Sequence, residues 1–115
     1  MESRSLPDLA AELLATARET AAGRAARTVH AGHGLRQTLL ALAAGRGLGE
    51  HDSPGEATLQ VLAGRVRLSA GAESWEGGAG DIIAIPPLRH ALDAIEDSAV
   101  LLTVARQTVT APAGA

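Results

Sequence analysis

A chain of 115 residues, 46% of them hydrophobic, has room for one hydrophobic core and is not disordered throughout. With no Phe, no Tyr and one Trp that core must be aliphatic, and with no cysteine the chain can form neither disulfides nor thiolate metal sites. Its net charge of −3 combines 13 acidic residues with 10 scattered arginines and no lysine, which argues against a nucleic-acid surface, and no apolar run is long enough to span a membrane.

The N-terminus lacks a basic-then-apolar signal pattern, so a cytoplasmic location is expected. Ser5-Leu6-Pro7-Asp8 opens a helix, with Ser5 as the cap and Pro7 in the first turn. Leu6, Leu9, Leu13 and Leu14 then recur at helical spacing, and Gly23 is the expected stop. We therefore assign residues 1–24 to an N-terminal helix.

From Ala25 the period changes. Arg27, Val29 and His30 read as a short strand broken by Gly32 and Gly34, and His30 and His33 as solvent-facing. Leu35 to Ala43 fits helix or strand by pattern, and the glycines around it favour strand. A glycine turn at Gly45–Gly49 leads to His51 and a Pro54-Gly55 corner. Thr58–Ala63 and Arg65–Ser69 read as strands joined in a hairpin at Gly64. Ser74–Glu76, Asp81–Ile85, His90–Ala94 and Ala99–Ala105 complete the set, with Trp75 expected to plug an edge. Short strands with glycine turns predict a mainly β, antiparallel barrel or jelly roll over residues 25–107, followed by a flexible tail over residues 108–115.

Two stretches carry the functional signal. Gly45 to Gly64 runs from a glycine turn through His51 and Pro54-Gly55 into an apolar strand that ends at glycine. Gly80 to His90 runs from glycine through Asp81 and an apolar strand to Pro86-Pro87 and a second histidine. In this order the two stretches resemble the paired motifs of the cupin superfamily, over roughly Leu35 to Arg106. That family's first motif has two histidines separated by one residue, then a glutamate and a strand ending in glycine. Its second runs from glycine through a strand to proline, glycine and a third histidine. Gly45, His51, Gly64, Gly80, Asp81 and Pro86 fall where the pattern expects them, and His90 falls close. The departures are specific. Ser53 stands in place of the second histidine, Ala57 in place of the glutamate with Glu56 one residue early, and no glycine precedes His90.

The resemblance implies a small jelly-roll barrel with a pocket at its mouth, serving anything from metal-dependent oxygenases and isomerases to non-catalytic sensors. Only His51 and His90 carry over as ligands. A divalent transition metal would need a third donor, and Glu56 reaches it only through a bulge near Pro54-Gly55. The other reading makes His51 and His90 pocket histidines that contact a small molecule, with no metal held tightly. Gln37 and Gln60 are candidate polar contacts to the same ligand, and Arg89 a candidate for an anion.

The unbroken apolar runs Leu39–Leu42, Ile82–Ile85 and Ala99–Leu102 put apolar groups on both faces of their strands. One short helix is unequal to covering three outer faces, so a homodimer is expected to cover the rest, with Ile83 and Leu101 on the dimer face.

Overall fold

The computed structural model describes residues 1–106, and the tail expected over residues 108–115 lies outside them. Helix α1 (Leu6–Glu19) starts where its cap dictates: the Ser5 hydroxyl accepts from the Asp8 amide at 3.3 Å, and Pro7 sits in the first turn. Leu9, Ala10, Leu13, Leu14 and Ala17 form its buried stripe. The helix ends at Glu19, short of the expected stop at Gly23. The Thr20 amide donates to the Ala17 carbonyl, and the Thr20 hydroxyl accepts from the Gly23 amide. Gly23 instead serves the following turn, at φ +69°.

Nine strands follow among the described residues: β1 (Arg24–Ala31), β2 (Leu35–Leu42), β3 (Gly47–His51), β4 (Ala57–Ala63), β5 (Arg65–Ala70), β6 (Glu73–Gly78), β7 (Ile82–Ala84), β8 (His90–Ala94) and β9 (Ser98–Ala105). They make a five-stranded sheet in the order β1-β2-β9-β4-β7 and a four-stranded sheet in the order β3-β8-β5-β6, with every pairing antiparallel. The two sheets face each other as a jelly roll, but each stays open. No helix among the described residues is long and apolar enough to cross a membrane.

The core between the sheets joins Leu42, Leu59, Val61 and Val100 of one sheet to Val66, Leu68, Leu92 and Ala94 of the other. A second apolar layer lies outside, where the α1 stripe packs on Leu39, Ala41 and Ala99. The period of two explains both layers: on β2, Leu40 and Leu42 point inward while Leu39 and Ala41 lie beneath the helix. Burying each leucine of α1 contributes roughly 2 kcal/mol from area alone.

Four expectations are corrected. Gly64 does not make a hairpin: β4 and β5 lie in different sheets, and Gly64 is where the chain crosses between them. Of the glycine-rich segment before His51, Gly45 does lie in a turn, but Gly47–His51 is a strand. Gly47 pairs with Asp93, and any side chain there would run into Leu92 and Asp93, so glycine permits the close approach. On β7 the inward residue is Ile83, register partner of core Leu59, whereas Ile82 is the exposed one at 62%. Finally, α1 covers the outer faces of β2 and β9 at Leu39, Ala41 and Ala99, and Leu101 is buried within the chain. The helix thus covers outer faces of β2 and β9, while Ile82 on the outer face of β7 stays exposed. Trp75 does lie on an edge strand, β6, with its ring over Gly77 and against the core.

Candidate functional site

His51 closes β3, His90 opens β8, and the two are register partners. Between the pairs Leu48–Leu92 and His51–His90, β3 spends three steps where β8 spends two, so β3 carries a one-residue bulge at Gly49-Glu50. In an unbulged strand Leu48 and His51, three residues apart, would point to opposite faces. With the bulge, both line the same pocket as Leu92 and His90.

The two imidazoles meet edge to face, with centroids 4.4 Å apart and planes at 65°. Each ring is tied back to its own chain. Nδ1 of His51 donates to the Gly49 carbonyl and Nδ1 of His90 to the Leu88 carbonyl, both at 2.8 Å. A carbonyl oxygen only accepts, so Nδ1 carries a proton in both rings and Nε2 is the nitrogen left to meet a ligand. His90 is 3% exposed, whereas His51 lies at the surface above it.

The histidines lie against a small apolar pocket of about 40 Å³, whose other walls include Leu40, Leu59, Leu92 and Leu102. It opens into a wider groove of about 820 Å³ that shares Leu40, Leu48, Pro54 and Leu102 and adds Arg36, Thr38, Ser53 and Arg106. The groove residues Arg36, Thr38 and Arg106 were missed in the sequence, though a signal for them exists. Arg36 and Thr38 have the parity of Leu40 and Leu42 on β2, and Arg106 continues the parity of Leu102 and Val104 on β9.

The remaining candidates lie elsewhere. Gln37 and Gln60 share parity with the outward-facing residues of β2 and β4, and neither lines the pocket. Gln37 donates to the Thr103 hydroxyl at 3.2 Å, and Gln60 stands opposite Leu101 and Ile82. Both lie on the outward parity: Gln37 shares that of Leu39 and Ala41 beneath the helix, and Gln60 sits between the inward Leu59 and Val61. His30 lies exposed on β1, and His33 exposed in the turn after it. Arg89 is engaged by Glu50 at 2.9 Å and Asp52 at 3.1 Å; the Glu50 hydrogen bond and then the Asp52 charge hold its guanidinium above its ordinary pKa.

Glu56 is exposed on the loop between β3 and β4, where its carbonyl accepts from the Ala105 amide. No three His, Asp or Glu side chains among the described residues converge as a metal site. Residues 107–115 contain no residue of those types. Ala57, at the position of the family's glutamate, is packed in the core at 5% exposure. The donor set therefore stops at two imidazoles and does not fit a transition metal, which normally takes three or four protein ligands.

No protein-family model matches the sequence, and no curated protein matches it. Solved structures do. A conserved protein of unknown function from Streptococcus pyogenes is 27% identical with a TM-score of 0.75, over 95% of this chain and 93% of that one. A cupin superfamily protein from Desulfitobacterium hafniense is 16% identical with a TM-score of 0.74, over 93% and 94%. An RmlC-like cupin from Desulfovibrio desulfuricans is 24% identical with a TM-score of 0.65, over 71% and 81%. With two facing antiparallel sheets and these structures superposing on most of its length, the chain has the RmlC-like cupin fold.

Proposed function

We propose that the protein binds a small molecule in the pocket beside His51 and His90. One observation carries this reading: two imidazoles, each anchored through Nδ1, line an otherwise apolar pocket that opens into a wider groove. Binding sites of this kind are mostly apolar, with a few fixed polar groups that orient the ligand. Each Nε2 can accept from a hydroxyl or amide where the ring is an imidazole and donate where it is an imidazolium. The carbonyl tethers fix the ring orientation in advance, so little side-chain freedom is lost on binding.

The test is protein purified without an affinity tag, analysed for metal and for co-purified small molecules, and then followed by NMR of its imidazole protons during ligand titration. Perturbation of both His51 and His90 by one metal-free ligand is the expected result. A stoichiometric transition metal on these two histidines would overturn the reading in favour of a metal-dependent enzyme. Ligands that perturb neither ring would remove the pocket as the binding site.

A further inference from the structure

The groove changes character along two adjacent strands. On the inner parity of β2 lie Leu42, Leu40, Thr38 and Arg36, and on that of β9 lie Val100, Leu102 and Val104, with Arg106 next in the same series. The register pairs Leu40 with Val100, Thr38 with Leu102 and Arg36 with Val104. Surfaces therefore run from aliphatic beside the histidines, through a threonine step, to two guanidinium groups at the rim.

The rim is cationic in an acidic protein of net charge −3. No Asp or Glu lines the groove, and neither Arg36 nor Arg106 pairs with a carboxylate among the described residues. Both arginines are held at the rim by one weakly competing contact each: Arg106 Nη1 donates to the Gly32 carbonyl at 3.0 Å, and Arg36 Nη2 to the Thr28 hydroxyl at 3.5 Å. A guanidinium presents five N–H donors in a planar fork, so most of each fork remains to meet an oxyanion. Arg89, the arginine next to His90, lacks that capacity because Glu50 and Asp52 already neutralise it.

Resting on the ligand-pocket reading above, we propose that the ligand is an amphiphile. Its apolar body lies along Leu40 and Leu102 towards the histidines, and its anionic head, a carboxylate or a phosphate monoester, is bound by Arg36 and Arg106. The groove volume of about 820 Å³ lies within the range of small-molecule sites. The inner pocket, at about 40 Å³, admits only the slim end of a chain or ring.

Three probes of six carbons each separate the components: hexanoate, hexyl phosphate and hexan-1-ol, titrated into the full chain with imidazole NMR and calorimetry as readouts. At least one anion should bind more tightly than the alcohol and shift the His51 and His90 signals, and the tighter anion names the headgroup. Arg36→Gln with Arg106→Gln should weaken anion binding about tenfold or more while leaving hexan-1-ol unchanged, which also reports that the fold is intact. Arg4→Gln, ahead of the helix on the far side of the five-stranded sheet, should change nothing. Equal binding of alcohol and anions, or anion affinity indifferent to the double substitution, overturns the headgroup assignment and leaves the pocket standing. If none of the three perturbs the histidines, the pocket reading fails and this proposal fails with it.

Discussion

Nε of Arg89 donates to a carboxylate oxygen of Glu50 at 2.9 Å, and these two residues immediately precede His90 and His51. The same guanidinium reaches Asp52, on the other side of His51, at 3.1 Å. One exposed side chain thus straps the bulged end of β3 to the start of β8, at the point where the imidazoles touch. Its purpose in the fold is placement, because ion pairs this exposed add little to stability.

Arg89→Gln should therefore leave thermal unfolding nearly unchanged while loosening His51. His90 stays held by burial and by the Leu88 carbonyl, whereas His51 is exposed and depends on the β3 end. NMR should show the His51 ring protons moving towards free-imidazole positions as the edge-to-face contact is lost, with smaller changes at His90. Unaltered His51 signals in the variant would show that the bulge and the Gly49 carbonyl suffice to hold the ring.

The strap and the bulge also mark the limit of what sequence pattern reveals. Leu9, Leu13 and Leu14 are read correctly because a helix advertises its buried face through spacing alone. The strands from β4 onward are legible for a similar reason, since glycines punctuate them. Parity relative to the core is a different matter. Gln60 alternates with Leu59 and Val61, and Gln37 sits between Arg36 and Thr38 on a strand whose later residues are apolar on both faces, so nothing local says which face is the interior. Ile82 and Ile83 pose the same ambiguity, resolved only by the register of Ile83 with Leu59. His51 is brought beside His90 by an extra residue in β3, which shifts its parity without any distinctive residue type. Resemblance to a known motif pairs those histidines where alternation alone would not.

Acid should detach the helix end before it disturbs the core. The Asp97 carboxylate accepts from the Ala44 amide at 2.8 Å and from Arg18, in the last turn of α1, at 2.7 Å. The Ala44 amide first, and the Arg18 guanidinium second, hold the Asp97 carboxyl below its usual pKa. A carboxyl whose folded pKa is depressed contributes its stability in full above the unfolded value and loses it as pH falls through the folded one. Asp97→Asn should thus be less stable than the parent at neutral pH. The difference should shrink and vanish as pH drops below the carboxylate range, where the parent's Asp97 is itself uncharged. Urea unfolding of both proteins across acidic pH measures this, and a gap that widens on acidification would contradict it. Glu76, held low chiefly by its hydrogen bond to Arg67, adds a parallel loss in the other sheet.

The crossing at Gly64 should be the least forgiving position outside the core. Gly64 has φ +80°, a conformation that costs a residue with a Cβ about 1–2 kcal/mol. A methyl group there would also run into the Asp97 carbonyl, the Ser98 hydroxyl and the Ser98 Cα, and two of these obstacles are backbone. Ser98 is fully buried, and its hydroxyl does the work of a strand partner at the crossing. It accepts from the Arg65 amide at 3.0 Å and directs its hydrogen to the Glu96 carbonyl at 2.7 Å or the Arg65 carbonyl at 3.1 Å. Ser98→Ala leaves the Arg65 amide without that acceptor and should cost about 1–3 kcal/mol. Gly64→Ala adds backbone displacement to its conformational penalty and should cost more than Ser98→Ala, about 3 kcal/mol or beyond. Beyond the crossing lie Val66 and Leu68, and Leu68 is a wall of the histidine pocket. A displaced crossing should therefore also shift the His90 ring signals, while Ser98→Ala, which keeps the backbone path, should not. Chemical denaturation with imidazole NMR separates the two effects. A Gly64→Ala protein as stable as Ser98→Ala, with unmoved histidine signals, would mean that the chain can cross between the sheets without glycine.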